Sequence, residues 1–137
     1  MIKKTLLLLV ASALAACSTD GSRDRDAELA RDLYSFANVE QFVTEHLHLV
    51  LRVDFDREVL HGSATLQMQQ LDPDARTIVL DTRDLAIDSV SVTTGSTGAV
   101  AAEFSLGETD PHLGTPLSIQ LPPAVTGGEP VTVTISY

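Results

Sequence analysis

The residues best suited to chemistry in this 137-residue chain are four histidines and a scatter of acids. His46 and His48 stand two apart, a spacing that puts both side chains on one face of a strand, where they could begin a metal site. A third ligand is the difficulty. In the hairpin register expected from the sequence, His61 sits opposite Asp54, roughly 20 Å from His48 at ~3.3 Å per residue. His112 falls in a loop. The pair therefore reads as polar-face histidines on a half-solvated strand, and no metal ligand is assigned. Asp54, Asp56 and Glu58 space three acids around a tight turn, but the glycine bend and bidentate closing acid of a calcium loop are missing. Asp72-Pro73-Asp74 and Asp110-Pro111 are also turn chemistry. Asp81, Arg83 and Asp84 are close enough in sequence for a local ion pair. The chain contains no G-x-S-x-G, no phosphate-cradling glycine loop and no H-E-x-x-H. No catalytic residue is assigned.

The single cysteine, Cys17, has a different chemistry. It follows a short positive stretch with Lys3 and Lys4, then an apolar run from Thr5 to Leu14 that is too short to span a bilayer and fits the core of a secretory signal. Leu14-Ala15-Ala16-Cys17 resembles the bacterial lipobox, which implies cleavage between Ala16 and Cys17 and a lipid on Cys17. Ser18 follows, with no Asp to retain the protein at the inner membrane, so the expected location is the outer membrane facing the periplasm. Removing residues 1–16 leaves 121 residues, seven arginines against 19 acids and no lysine, a net charge of −12. A chain this acidic has no basic face for nucleic acid and no electrostatic attraction to anionic headgroups, so the membrane contact would rest on acyl chains. Residues 17–31 read as the lipidated cysteine and a polar tether. Leu29, Leu33 and Phe36 recur at helical spacing and predict one to two turns of helix.

The elements that must position any site are strands. Leu47, Leu49, Leu51, Val53 and Phe55 alternate with polar residues, and Leu60, Ala64, Leu66 and Met68 do so with opposite parity. Opposed residue numbers in this hairpin must therefore sum to an odd number, or one apolar face turns to water. A sum of 115 pairs Phe55 with Leu60 and Leu51 with Ala64. Thr77 to Asp81 is a further strand. Leu85 and Ile87 then give way to Val90 and Val92, a change of parity that suggests a bulge near Asp88 and Ser89. Ala102, Phe104 and Leu106 alternate, as do Leu117, Ile119 and Leu121, and Val131, Val133, Ile135 and Tyr137. About seven short strands predict an all-β, mostly antiparallel sheet or sandwich. The last strand runs to Tyr137 with no turn or cap after it. If the domain continues, that strand would present an unpaired edge and make the isolated chain prone to aggregate.

Taken in order, several segments resemble a known family. They are Asp32-x-x-Ser35-Phe36-Ala37-Asn38, Thr44-x-His46-Leu47-x-Leu49-x-Leu51-x-Val53-Asp54-Phe55, Leu60-x-Gly62-x-Ala64-x-Leu66, Leu80-Asp81-Thr82-Arg83-Asp84-Leu85-x-Ile87, and Phe104-x-Leu106-Gly107 through Leu121-Pro122. Residues 32–137 resemble the amino-terminal β-domain of the gluzincin zinc aminopeptidases, in the leukotriene hydrolase/aminopeptidase branch of the aminopeptidase N superfamily. The resemblance implies a saddle-like β-domain, here incomplete at its carboxyl end, that packs on a zinc-bearing catalytic domain. The parent enzyme would hold zinc and act on peptides. None of the family's functional residues falls on a position of this chain, and His46 matches a strand position that is not a zinc ligand. The competing expectation is a complete small β-rich envelope lipoprotein that serves as a binding or assembly module.

Overall fold

The computed structural model describes residues 34–95, 98–125 and 127–137. The signal segment, the Ala16-Cys17 junction, the tether and the helical spacing at Leu29 and Leu33 lie outside them. Phe36, the last residue of that spacing, is not helical.

Eight strands are present: β1 (Phe42–Asp54), β2 (Val59–Gln70), β3 (Thr77–Thr82), β4 (Ser89–Thr94), β5 (Val100–Ala101), β6 (Phe104–Leu106), β7 (Thr115–Gln120) and β8 (Val131–Ser136). They form two antiparallel sheets, one ordered β1-β2-β8-β4-β5 and the other β3-β7-β6. The all-β reading from alternation holds. The inward residues of both sheets make one core, with Met68, Val92, Val131 and Val133 from the first and Ile78, Leu117 and Ile119 from the second. β-branched side chains dominate the central strands, where a pleated, half-buried surface suits them.

Four local expectations change. The β1–β2 register sums to 113, with Leu51 opposite Gly62 and Leu49 opposite Ala64. Parity correctly required an odd sum, but the turn chooses which one. Asp54 Oδ1 accepts from the backbone N–H of Asp56 and Arg57 at 3.1 and 3.0 Å, and Glu58 takes a left-handed φ of 55°. This closes the loop at Asp54 and Val59. Gly62 fits the same register, since a Cβ there would collide with the Val50 carbonyl oxygen. Nearer the strand's start, the pairing shifts between Thr44 and His46. The resulting bulge at Glu45 puts Phe42 on the apolar face despite its even number.

The expected bulge at Asp88 and Ser89 is instead the start of a strand. Leu85 to Asp88 lie outside any strand after Asp84 turns through φ 53°, so the parity change needs no inserted residue. The stretch around Ala102 is two strands rather than one, because the chain changes sheets there. Ala102 N–H bonds to the Val90 carbonyl in one sheet, and the Glu103 carbonyl accepts from Gln120 in the other. Finally, β8 is not an edge. It lies between β2 and β4, and Tyr137 exchanges two backbone bonds with Gly62 at 2.7 and 3.0 Å.

Side chains lock the layers at one end. Arg76 donates to the carbonyls of Val125, Leu121 and Pro122 at 2.8–3.3 Å. The buried Gln70 amide donates to Asp72 and Ala75 carbonyls and accepts from Gly128 N–H.

Candidate functional site

The histidines do not converge. His46 pairs with Gln67, His48 with Thr65 and His61 with Arg52. His61 therefore lies opposite Arg52 rather than Asp54, four residues or ~13 Å along the strand from His48. Among the described residues no group of three His, Cys, Asp or Glu side chains could hold a metal ion. The acids serve turns. Besides Asp54, Asp72 Oδ1 accepts from Asp74 N–H at 3.0 Å. Asp110 Oδ1 accepts from His112 and Leu113 N–H at 2.7 and 2.9 Å. The Leu113 and His112 amides together hold the Asp110 carboxyl below its ordinary value, against an opposing desolvation and with the smallest help from the His112 and Arg83 charges.

Among the described residues the expected local ion pair of Asp81, Arg83 and Asp84 does not form, and longer-range contacts take its place. Asp81 accepts from Ser35 Oγ at 2.5 Å and from Phe36 N–H at 2.8 Å, while Arg83 donates to the His112 carbonyl. Asn38 completes this arrangement. Its Oδ1 accepts from Val79 N–H at 2.8 Å, and its Nδ2 donates to the Thr77 carbonyl at 2.9 Å. The amide thus stands in for a neighbouring peptide group on the outer edge of β3. In the sequence, Ser35 and Asn38 stand out only as parts of a resemblance, and Asp81 also as a candidate for a local ion pair. Their pairing across about forty residues leaves no local signal.

The surface feature that stands out is apolar. A groove of about 380 Å³ has Leu47, Leu49, Ala64, Leu66, Ile135 and Tyr137 on the sheet side. Ala37, Leu80, Leu85 and Ile87 face them. Its polar wall groups are engaged within the protein, Asp81 as above and Thr82 by donating to the Thr115 carbonyl at 2.8 Å. The groove opens onto the far half of the β1–β2 hairpin. There Leu47, Leu49, Leu51, Val53, Leu60 and Phe55 are all exposed, Phe55 at 86%. Six large apolar side chains are thus exposed together at this end of the hairpin. The alternation that predicted a half-buried strand is present, but sheet β3-β7-β6 covers only the other half.

A scan against protein-family models finds no match. Curated relatives do match. Leukotriene A-4 hydrolase of Xenopus laevis is 39% identical over 104 residues, covering 76% of this chain. Leucine aminopeptidase 2 of Phaeosphaeria nodorum is 35% identical over 106 residues, covering 77%. In each case the chain spans 16% of the relative's length. Among solved structures, yeast LTA4 hydrolase in complex with bestatin superimposes with a TM-score of 0.64 at 27% identity, covering 77% of this chain and 16% of that one. These residues match the amino-terminal domain of a zinc aminopeptidase. The chain contains no H-E-x-x-H, and the histidines of β1 and β2 lie opposite Gln, Thr and Arg.

Proposed function

We propose that this chain supplies the non-catalytic amino-terminal scaffold, and one wall of the substrate cleft, of a zinc metallo-aminopeptidase that removes amino-terminal residues from peptides. The observation that carries this reading is the 39% match over 104 residues to a relative of which the chain spans 16%. A zinc in such an enzyme would activate water for attack on the peptide carbonyl, and its ligands would come from elsewhere in the polypeptide. The contribution of the described residues is shape. The Asp81 and Asn38 contacts fix the groove wall, and the turn acids fix the loops.

The lipobox-like Leu14-Ala15-Ala16-Cys17 supports anchoring through a lipid on Cys17, in the outer membrane facing the periplasm. The acidic remainder of the chain favours acyl chains over headgroup charge as the attachment.

Reading the coding DNA past Tyr137 tests the proposal. An H-E-x-x-H motif roughly 150–200 residues downstream is expected. A stop codon with no frameshift nearby would contradict the reading. Assaying this chain with aminoacyl-arylamides and added zinc should give no hydrolysis, and clear turnover would overturn the non-catalytic role.

A further inference from the structure

We propose that the outer edge of β1 is a self-association surface, where a second copy of this chain adds its own β1 antiparallel and joins the two five-stranded sheets. The inference goes beyond the scaffold reading and does not depend on it.

Among the described strands β1 is the long open edge. It has 13 residues and ends its sheet. The other edges are short or blocked: β5 has two residues, β6 has three, and Asn38 occupies Val79 N–H and the Thr77 carbonyl on the outside of β3. β1 also lacks the usual guards against pairing. It contains no Lys and no Pro, and its bulge at Glu45 lies toward the root.

The free backbone groups of this edge can be assigned. Gly62 N–H and carbonyl both bond to Tyr137, on the β8 side. Leu51 lies opposite Gly62, so that pair is not hydrogen-bonded, and Leu51 N–H and carbonyl point outward. Leu47, Leu49 and Val53 share this phase, two residues apart. No described residue bonds to their outward groups.

Register selects the occupant. An antiparallel partner sets outward groups opposite outward groups. For a second β1, opposed residue numbers must therefore sum to an even number, which also keeps both apolar faces on one side. A sum of 98 sets His46 against Arg52, and 104 sets Arg52 against itself. A sum of 100 sets His46 against Asp54 but also His48 against Arg52. A sum of 102 sets His48 against Asp54 and Arg52 against Val50, with no basic pair opposed. The imidazole N–H then faces a carboxylate, and the Arg52 stem lies over Val50. Asp54 keeps Oδ2 for this contact, with Arg57 Nε 4.0 Å from it, because the turn amides bond to Oδ1. On the apolar side Leu51 meets Leu51 of the second copy, and Leu49 meets Val53. The twofold repeats each of these contacts, so the strand that fits is β1 itself.

The test places single cysteines along the edge. Cys17→Ser removes the chain's own cysteine, and Leu49→Cys, Val50→Cys or Leu51→Cys is then added in turn. Residue 51 faces its own copy only at a sum of 102, residue 50 only at 100 and residue 49 only at 98. Opposed residues lie within disulfide reach. Mild oxidation should give a disulfide-linked dimer of Leu51→Cys in roughly tenfold higher yield than of the other two, since only one register is specified. A higher yield at residue 49 or 50, or no dimer at any position, overturns the proposal. Sedimentation of the unoxidised chain supplies a second readout. Leu49→Pro removes an outward N–H, and Leu49→Ala removes the same apolar side chain but keeps that N–H. Leu49→Pro should weaken association about tenfold more than Leu49→Ala. An unchanged circular dichroism spectrum verifies that each variant is folded. Equal effects of the two would mean that copies meet through the apolar face rather than the edge, and would overturn the proposal. So would a chain that stays monomeric.

Discussion

The two ends of the β1–β2 hairpin carry the same alternating pattern and meet opposite fates. At the root, Phe42 is 3% exposed and packs with Met68 against the second sheet. Toward the tip, Leu47 is 51% exposed and Phe55 is almost free of contact. Alternation reports which face of a strand is apolar, and it carries no information about whether a second layer lies over that face. The root is a completed interior. The tip has the composition of an interior without its cover.

Substitutions should separate the ends. The largest loss of stability is expected in the completed interior. Ile119→Ala removes a fully buried side chain and should cost about 2–5 kcal/mol in urea unfolding. A loss below about 1 kcal/mol would mean that the two-sheet core is looser than its burial indicates. Next comes the brace at the root. Gln70→Leu leaves the Asp72 and Ala75 carbonyls and Gly128 N–H without their partner, for about 1–3 kcal/mol. Asn38→Ala frees the edge of β3 and should cost about 1 kcal/mol, with faster amide exchange at Val79. At the tip, Leu51→Ala should change the stability of the chain alone by about 0.5 kcal/mol or less. A loss comparable to that of Ile119→Ala would erase the distinction between root and tip.

The smallest effect concerns pH. Asp110 is held below its ordinary 3.8 chiefly by the Leu113 and His112 amides. A carboxyl whose pKa is lowered by folding contributes stability above its unfolded value and loses it as pH falls through the folded one. Asp110→Asn should therefore reduce the acid-side loss below about pH 4 and leave the neutral-pH dependence unchanged. An identical acid profile for both proteins would show that this turn is not coupled to folding.

Much of the fold could be read from the chain. Alternation identified the strands, and parity correctly required an odd hairpin sum. Two further facts were needed to choose 113 over 115: the Asp54-capped turn and the need for a residue without Cβ opposite Leu51. The central position of β8 was hidden because strand order depends on contacts far apart in sequence. The Asn38 amide on the β3 edge escaped for the same reason. The turn roles of Asp54, Asp72 and Asp110 were legible because they act within a few residues. The apolar face was legible as residues and hidden as a surface, since exposure is set by the second sheet's extent.

Hydrogen exchange of the hairpin tests the central claim most directly. Amides of the tip, residues 47–60, are compared with those of the root, residues 66–70, in the monomeric chain alone. Fast exchange at the tip and slow exchange at the root are predicted. Equal protection at both ends would contradict the account.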